Sequence, residues 1–128
     1  RTLNLNENRL TEIPNSLGNI SSLVNLSLAE NRTLRQAPQK LTLDNLRRFN
    51  INATSLSRIP DLSSCYALET LDFQQLRLFE GGLPMWIGSL PNIRKVNASG
   101  IQVPYKERET VLEWNKRFTI FVDHIKQK

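Results

Sequence analysis

The chain is poor in the residues on which metal and redox chemistry depend: among 128 residues there is one cysteine, Cys65, one histidine, His124, and one methionine. A single thiol cannot close an internal disulfide, and one histidine cannot supply a Cys/His zinc cluster. No apolar run approaches the roughly 18 residues that a membrane span requires. Only 7% of the residues are aromatic. The chain opens at Arg1 with neither an initiator methionine nor a signal-peptide pattern, which leads us to expect a soluble piece of something longer. Catalytic signatures are missing as well. There is no nucleophile-elbow, phosphate-loop or HExxH motif, and the glycine pair Gly81-Gly82 does not precede a phosphate-binding helix pattern. Asp123 and His124 are neighbours in sequence, and adjacent residues on a helix do not face each other, so they make no dyad. Cys65 has no histidine near it in sequence to act as a base and reads as a buried structural thiol. These absences point away from an enzyme and away from any metal or cofactor.

What is present is self-similarity. The stretch Leu3, Leu5, Asn8, Leu10, Ile13-Pro14 returns as Leu26, Leu28, Asn31, Leu34, Ala37-Pro38, and again as Phe49, Ile51, Thr54, Leu56, Ile59-Pro60. A fourth copy carries Leu71, Phe73, Leu76, Leu78 and Leu83-Pro84, and a fifth Val96, Ala98, Ile101 and Val103. The unit openings Leu23, Leu46, Leu68 and Ile93 are 23, 22 and 25 residues apart. Alternating apolar pairs such as Leu26 and Leu28 suit short strands with those side chains inward. Asn8 and Asn31 are placed to turn inward and hydrogen-bond neighbouring backbone, while Thr54, Leu76 and Ile101 replace them further along. One unit cannot bury its own apolar face, so the core forms only as a stack.

These residues resemble the leucine-rich repeat, LxxLxLxxNxLxx(L/I)PxxLxxL, over residues 1–103. The resemblance implies an α/β solenoid of four to five units, with short parallel strands on a concave face and an irregular or helical convex side. It further implies a non-catalytic protein-binding module. Ile59-Pro60-Asp61-Leu62-Ser63-Ser64-Cys65 followed by Leu68 would suit intracellular repeats and those of plant immune receptors, so a substrate-recognition or regulatory part of a larger enzyme or receptor chain is the alternative. The first strand begins without a preceding cap, so we expect an array that was longer upstream and an edge open to association.

Residues 104–128 carry a different period. Val111, Trp114, Phe118, Phe121 and Ile125 fall at spacings of three and four, widened by Leu112 and Val122. This predicts one amphipathic capping helix, with Pro104 at its start, Glu107 and Glu109 near its positive end and Lys126 and Lys128 near its negative end.

By resemblance, the partner meets the concave strand face. The outward strand positions give Asn4 and Asn6; Asn25, Ser27 and Ala29; Arg48, Asn50 and Asn52; Thr70, Asp72 and Gln74; Lys95, Asn97 and Ser99. The predicted contact set is Arg48, Asn50, Asn52, Thr70, Asp72, Gln74, Lys95 and Asn97, with Arg48 as anchor because arginine and aromatic residues dominate interface energetics. That strip contains no aromatic residue. Phe79 and Trp86 would act only from the loop edge or convex side, and Trp86 in Trp-Ile-Gly reads as packed return segment.

The net charge of +5 is concentrated. Residues 32–58 hold Arg32, Arg35, Lys40, Arg47, Arg48 and Arg58 against Asp44 alone. This basic segment suits an acidic protein partner, phosphate or headgroups; nucleic acid is disfavoured because the only aromatic there, Phe49, is at a core position. Asn19, Asn25, Asn31, Asn52 and Asn97 begin glycosylation-type triplets, against about two expected by composition. A secreted or cell-surface ectodomain is therefore a further alternative to a cytoplasmic location.

Overall fold

The structure, a computed structural model, describes residues 1–76 and 83–125. Six strands, β1 (Thr2–Asn4), β2 (Asn25–Ser27), β3 (Arg48–Asn50), β4 (Thr70–Asp72), β5 (Lys95–Val103) and β6 (Thr119–Ile125), form one sheet in chain order. Every neighbouring pair is parallel. The register follows the repeat: Leu3, Leu26, Phe49, Leu71 and Val96 are aligned. Parallel strands need a long crossover; from β1 to β5 each crossover is the return part of one repeat unit, and the last, into β6, is the non-repeat segment 104–118. The segments after Pro14 and Pro84 are short 3-10 turns, Asn15–Asn19 and Met85–Ser89, so the described return segments between the repeat strands hold no α-helix.

The core is the row of inward residues. Leu26, Leu28, Leu34, Leu46, Phe49, Ile51, Leu62, Leu68, Leu71 and Phe73 are essentially sealed from solvent. Leu3, Leu5 and Leu10 of the first unit are only partly buried, since they touch a neighbour on one side. Return-segment asparagines tie units together: the Asn45 side chain donates to the Ser21 carbonyl at 2.8 Å and that of Asn92 to Tyr66 at 2.7 Å.

Asn31 is fully buried, and its Nδ2 donates to the carbonyls of Leu28 at 2.8 Å and Leu5 at 2.9 Å while its Oδ1 accepts from the Leu10 amide at 3.3 Å. One side chain thus satisfies backbone of two units where the strands bend away, which a buried polar group requires. Asn8 does the same locally, donating to the Leu5 carbonyl at 2.9 Å. Thr54 retains one such bond, to Ile51 at 3.1 Å. Leu76 and Ile101 are buried apolar side chains instead. The residue before each of these positions is left-handed: Glu7, Glu30, Ala53, Gln75 and Gly100 all have φ between 55° and 86°. Their amides pay no penalty in pairing, because those of Glu7, Glu30, Ala53 and Gln75 donate to the carbonyls of Ala29, Asn52, Gln74 and Ser99 in the following unit at 2.9–3.0 Å.

The C-terminal segment departs from the sequence expectation of a helix over 104–128. After a 3-10 turn at Tyr105–Glu107, helix α1 covers only Arg108–Trp114. The chain turns through 115–118, where Phe118 N donates to Trp114 O at 2.9 Å, and returns as β6 against β5. Val111, Trp114, Phe118 and Ile120 are buried, but Leu112 and Phe121 are 41% and 46% exposed. Two periods share the residues up to Phe118. From there Thr119-Ile120-Phe121-Val122 is β-branched and aromatic, a composition that favours a pleated strand, and β5 would otherwise expose a row of unpaired backbone groups. Trp114 closes the end of the stack: its ring lies 6.0 Å from that of Phe118, and its indole fills the space above Gly88 that a β-carbon would need. The Glu107 carboxylate, expected to serve a helix dipole, accepts the Leu83 amide at 3.1 Å.

Candidate partner-binding face

The strand register places the predicted contact residues in columns. Thr2, Asn25, Arg48, Thr70, Lys95 and Thr119 form the first, and Asn4, Ser27, Asn50, Asp72, Asn97 and Phe121 the second. Asn52 and Gln74 lie in a third column beside them, linked by a bond from the Gln74 amide to Asn52 Oδ1 at 2.7 Å. Successive members of a column are about 4.8 Å apart. All eight predicted residues therefore lie on one continuous face. Arg48 and Lys95 are exposed, and the other six are half-buried. Ala29, expected to point outward, is buried.

The asparagines spend half of their hydrogen-bonding capacity on the fold. Asn50 Oδ1 accepts the Asn52 amide at 2.9 Å, and Asn97 Oδ1 accepts the Ser99 hydroxyl at 3.0 Å. Further along, Asn6 Oδ1 accepts both the Ser27 hydroxyl at 2.6 Å and the Ala29 amide at 2.8 Å. Among the described residues the Nδ2 groups of Asn50, Asn52 and Asn97 have no protein acceptor. With Arg48 and Lys95 they make the strip donor-rich. Burial raises the pKa of its one carboxylate, Asp72, with Lys95 opposing that shift.

Phe121 is the residue that sequence reasoning missed. Because β6 is a strand, the alternation buries Ile120 beside Val96 and turns Phe121 outward beside Asn97. The Lys95 ammonium lies 5.8 Å from the centre of the Phe121 ring, within the range of a cation–π contact. The strip thus gains an aromatic at its C-terminal end. The legible signal was the run of β-branched residues around Phe121, masked by the helical spacing before it.

The basic segment does not form one patch. Arg32 pairs with Glu30 at 3.2 Å and Arg47 with Glu69 at 3.7 Å, both at the surface where such pairs contribute little. Arg48 is on the strand face, whereas Arg35 and Arg58 line a cleft between the second and third units. Trp86 is half-buried against the core; Phe79 and the Gly81-Gly82 pair lie outside the described residues, as do Lys126 and Lys128 and the side chains of Asp123 and His124. Cys65 is fully buried with its thiol donating to the Leu41 carbonyl at 3.3 Å, and burial pushes its pKa up, the reverse of what a nucleophile needs. Among the described residues no three His, Cys, Asp or Glu side chains cluster as metal ligands, and no helix is long and apolar enough to cross a membrane.

No family model matches the chain. It is 28% identical over 122 residues to TMV resistance protein N of Nicotiana glutinosa, a match that takes in 73% of this chain and 11% of that protein. It is 31% identical over 116 residues to the flightless-1 homolog of Caenorhabditis elegans, with 88% of this chain and 9% of that protein aligned. The chain spans about a tenth of the length of the curated relatives it matches. Both relatives contain leucine-rich repeats, and the repeating parallel strands described above are consistent with that architecture.

Proposed function

We propose that this chain is a non-catalytic protein-interaction module of a larger protein and that it holds an acidic or carbonyl-rich partner against its concave face. The observation that supports this reading is the donor-rich strip ending in an exposed aromatic: Arg48, the Nδ2 groups of Asn50, Asn52 and Asn97, then Lys95 over Phe121. Thr70 lies in register between the two cations, and Asp72 lies in register between Asn50 and Asn97 as the strip's one carboxylate. Interface anchors are commonly arginine and aromatic side chains flanked by near-neutral polar contacts. The location that accords with it is cytoplasmic. Cys65 is a free buried thiol, and Asn31, which begins one glycosylation-type triplet, is fully buried.

A second reading places the module as the sensing or restraining part of an immune-receptor chain. It draws on the similarity to TMV resistance protein N alone. Both readings share the same surface and the same test. Immobilised protein captures its partner from the native source, the partner is identified by mass spectrometry, and its affinity is then measured for Arg48→Glu and Phe121→Ala. We expect at least a tenfold loss for each, with the melting midpoint of Arg48→Glu within a few degrees of the parent. Unchanged affinity in both variants would remove the concave face from the interaction.

A further inference from the structure

Of the six cations in residues 32–58, two converge on a feature away from the strand face. Arg35, Gln36, Ala37 and Pro38 of the second unit and Leu56, Ser57, Arg58 and Pro60 of the third line one cleft, and no carboxylate is among them. The cleft arises from the repeat itself. Leu34 and Leu56 are the buried counterparts in the two units, and the Ser55 amide donates to the Leu34 carbonyl at 2.9 Å. Arg35 follows its leucine by one residue and Arg58 by two, so the two arginines lie on successive units and both line the cleft between them. Gln36, which lines the same cleft, forms a parallel backbone bridge with Glu12 of the first unit. Glu12 borders an adjoining hollow with Arg35. Among the described residues neither Arg35 nor Arg58 makes an ion pair, whereas Arg32 and Arg47 do.

We propose that this cleft is a binding site for a phosphate group. Two guanidinium forks supply two positive charges and planar paired donors, which match a dianionic tetrahedral oxyanion in both charge and geometry. Ser57 Oγ and the exposed Gln36 carboxamide add neutral donors at the same rim. The lining has no aromatic ring, and its leucine is buried at 2% exposure. The cleft therefore offers little to a large organic body and much to a compact anion. Free phosphate and a phosphorylated serine or threonine side chain share that chemistry. Arg48 does not line the cleft, so the site stands independently of the concave-face reading.

The test is an amide NMR titration at constant ionic strength, with sodium phosphate against sodium chloride, and with a phosphoserine peptide against its unphosphorylated form. Arg35→Gln, Arg58→Gln and Arg48→Gln are compared, each first shown to melt like the parent. Saturable shifts at the Gln36 and Ser57 amides, weakened at least fivefold by Arg35→Gln or Arg58→Gln and unaffected by Arg48→Gln, bear out the site. Tighter binding of the phosphopeptide than of inorganic phosphate assigns a protein-borne phosphoryl group as the source, and equal binding assigns the free ion. An identical response to chloride and phosphate overturns the proposal. So does an equal loss in Arg48→Gln, which would reduce the effect to general charge.

Discussion

The first and last thirds of this molecule solve one problem with opposite chemistry. Where the strands of the first two units bend away from the sheet, a buried asparagine, Asn31, satisfies the backbone of both units. In the fourth and fifth units the same position is filled by Leu76 and Ile101, and the end of the stack is sealed by Trp114, Phe118 and Ile120. A polar bend depends on a few directional bonds whose loss strands buried groups. An apolar bend depends on volume, and is tolerant of side-chain identity while intolerant of voids.

That contrast is open to test at both ends. At the apolar end, Trp114→Ala removes the largest cap side chain and is expected to destabilise by roughly 3–5 kcal/mol, read by chemical denaturation. Gly88→Ala attacks the same contact from below. Its new β-carbon would lie 2.9 Å from the indole Cε2 or nearer to other ring atoms, so its cost should largely vanish in the Trp114→Ala background. Additive losses would show that the indole is not what confines Gly88.

At the polar end, Asn31→Leu installs the residue type that serves in the fourth unit. We expect a loss of roughly 2–3 kcal/mol, because the Leu28 carbonyl and the Leu10 amide lose the Asn31 side chain as partner, while the Leu5 carbonyl keeps its bond from Asn8. A neutral result would mean that the two ends are interchangeable and the contrast is one of composition only.

The smallest effect is expected between the two ends, at Asp72. Its folded pKa is raised by burial, so its ionisation weakens the fold above that value, and the weakening is absent below the ordinary carboxylate pKa. Asp72→Asn should therefore raise the melting midpoint slightly at pH 7, with the advantage closing as pH falls through the aspartate titration to about 3.9. A midpoint difference that is constant from pH 7 to pH 3 would remove ionisation as the cause.

Much of this was legible because the repeat positions each do one job. Alternation placed Leu26 and Leu28 inward and Arg48, Asn50, Thr70, Asp72, Lys95 and Asn97 on one face, and all are found there. The ladder residues, polar and apolar, occupy the bends expected of them. What could not be read were features that depend on neighbours in space. The 111–125 stripe has helical spacing, but its last third pairs with β5, a choice made by an open sheet edge that leaves no local trace. Phe121 came to the binding face only as a consequence. The basic segment is contiguous in sequence, yet a solenoid sends residues a few positions apart to different sides, so Arg48 and Arg58 serve different surfaces. The left-handed column escaped notice for a simpler reason: four of its five members are not glycine, and glycine is the usual marker of that conformation.

That column has a bearing on how such an array changes length. In the first four units the left-handed residue fixes the point at which the backbone leaves the sheet, and its amide is pinned to the next unit before the chain sets out on its return. Whatever happens afterwards is uncoupled from the strands. Units of 22, 23 and 25 residues consequently sit side by side with their strands in unbroken alignment from β1 to β5. Insertions can accumulate on the outer rim without disturbing what the inner face presents, so recognition and elongation are free to evolve separately.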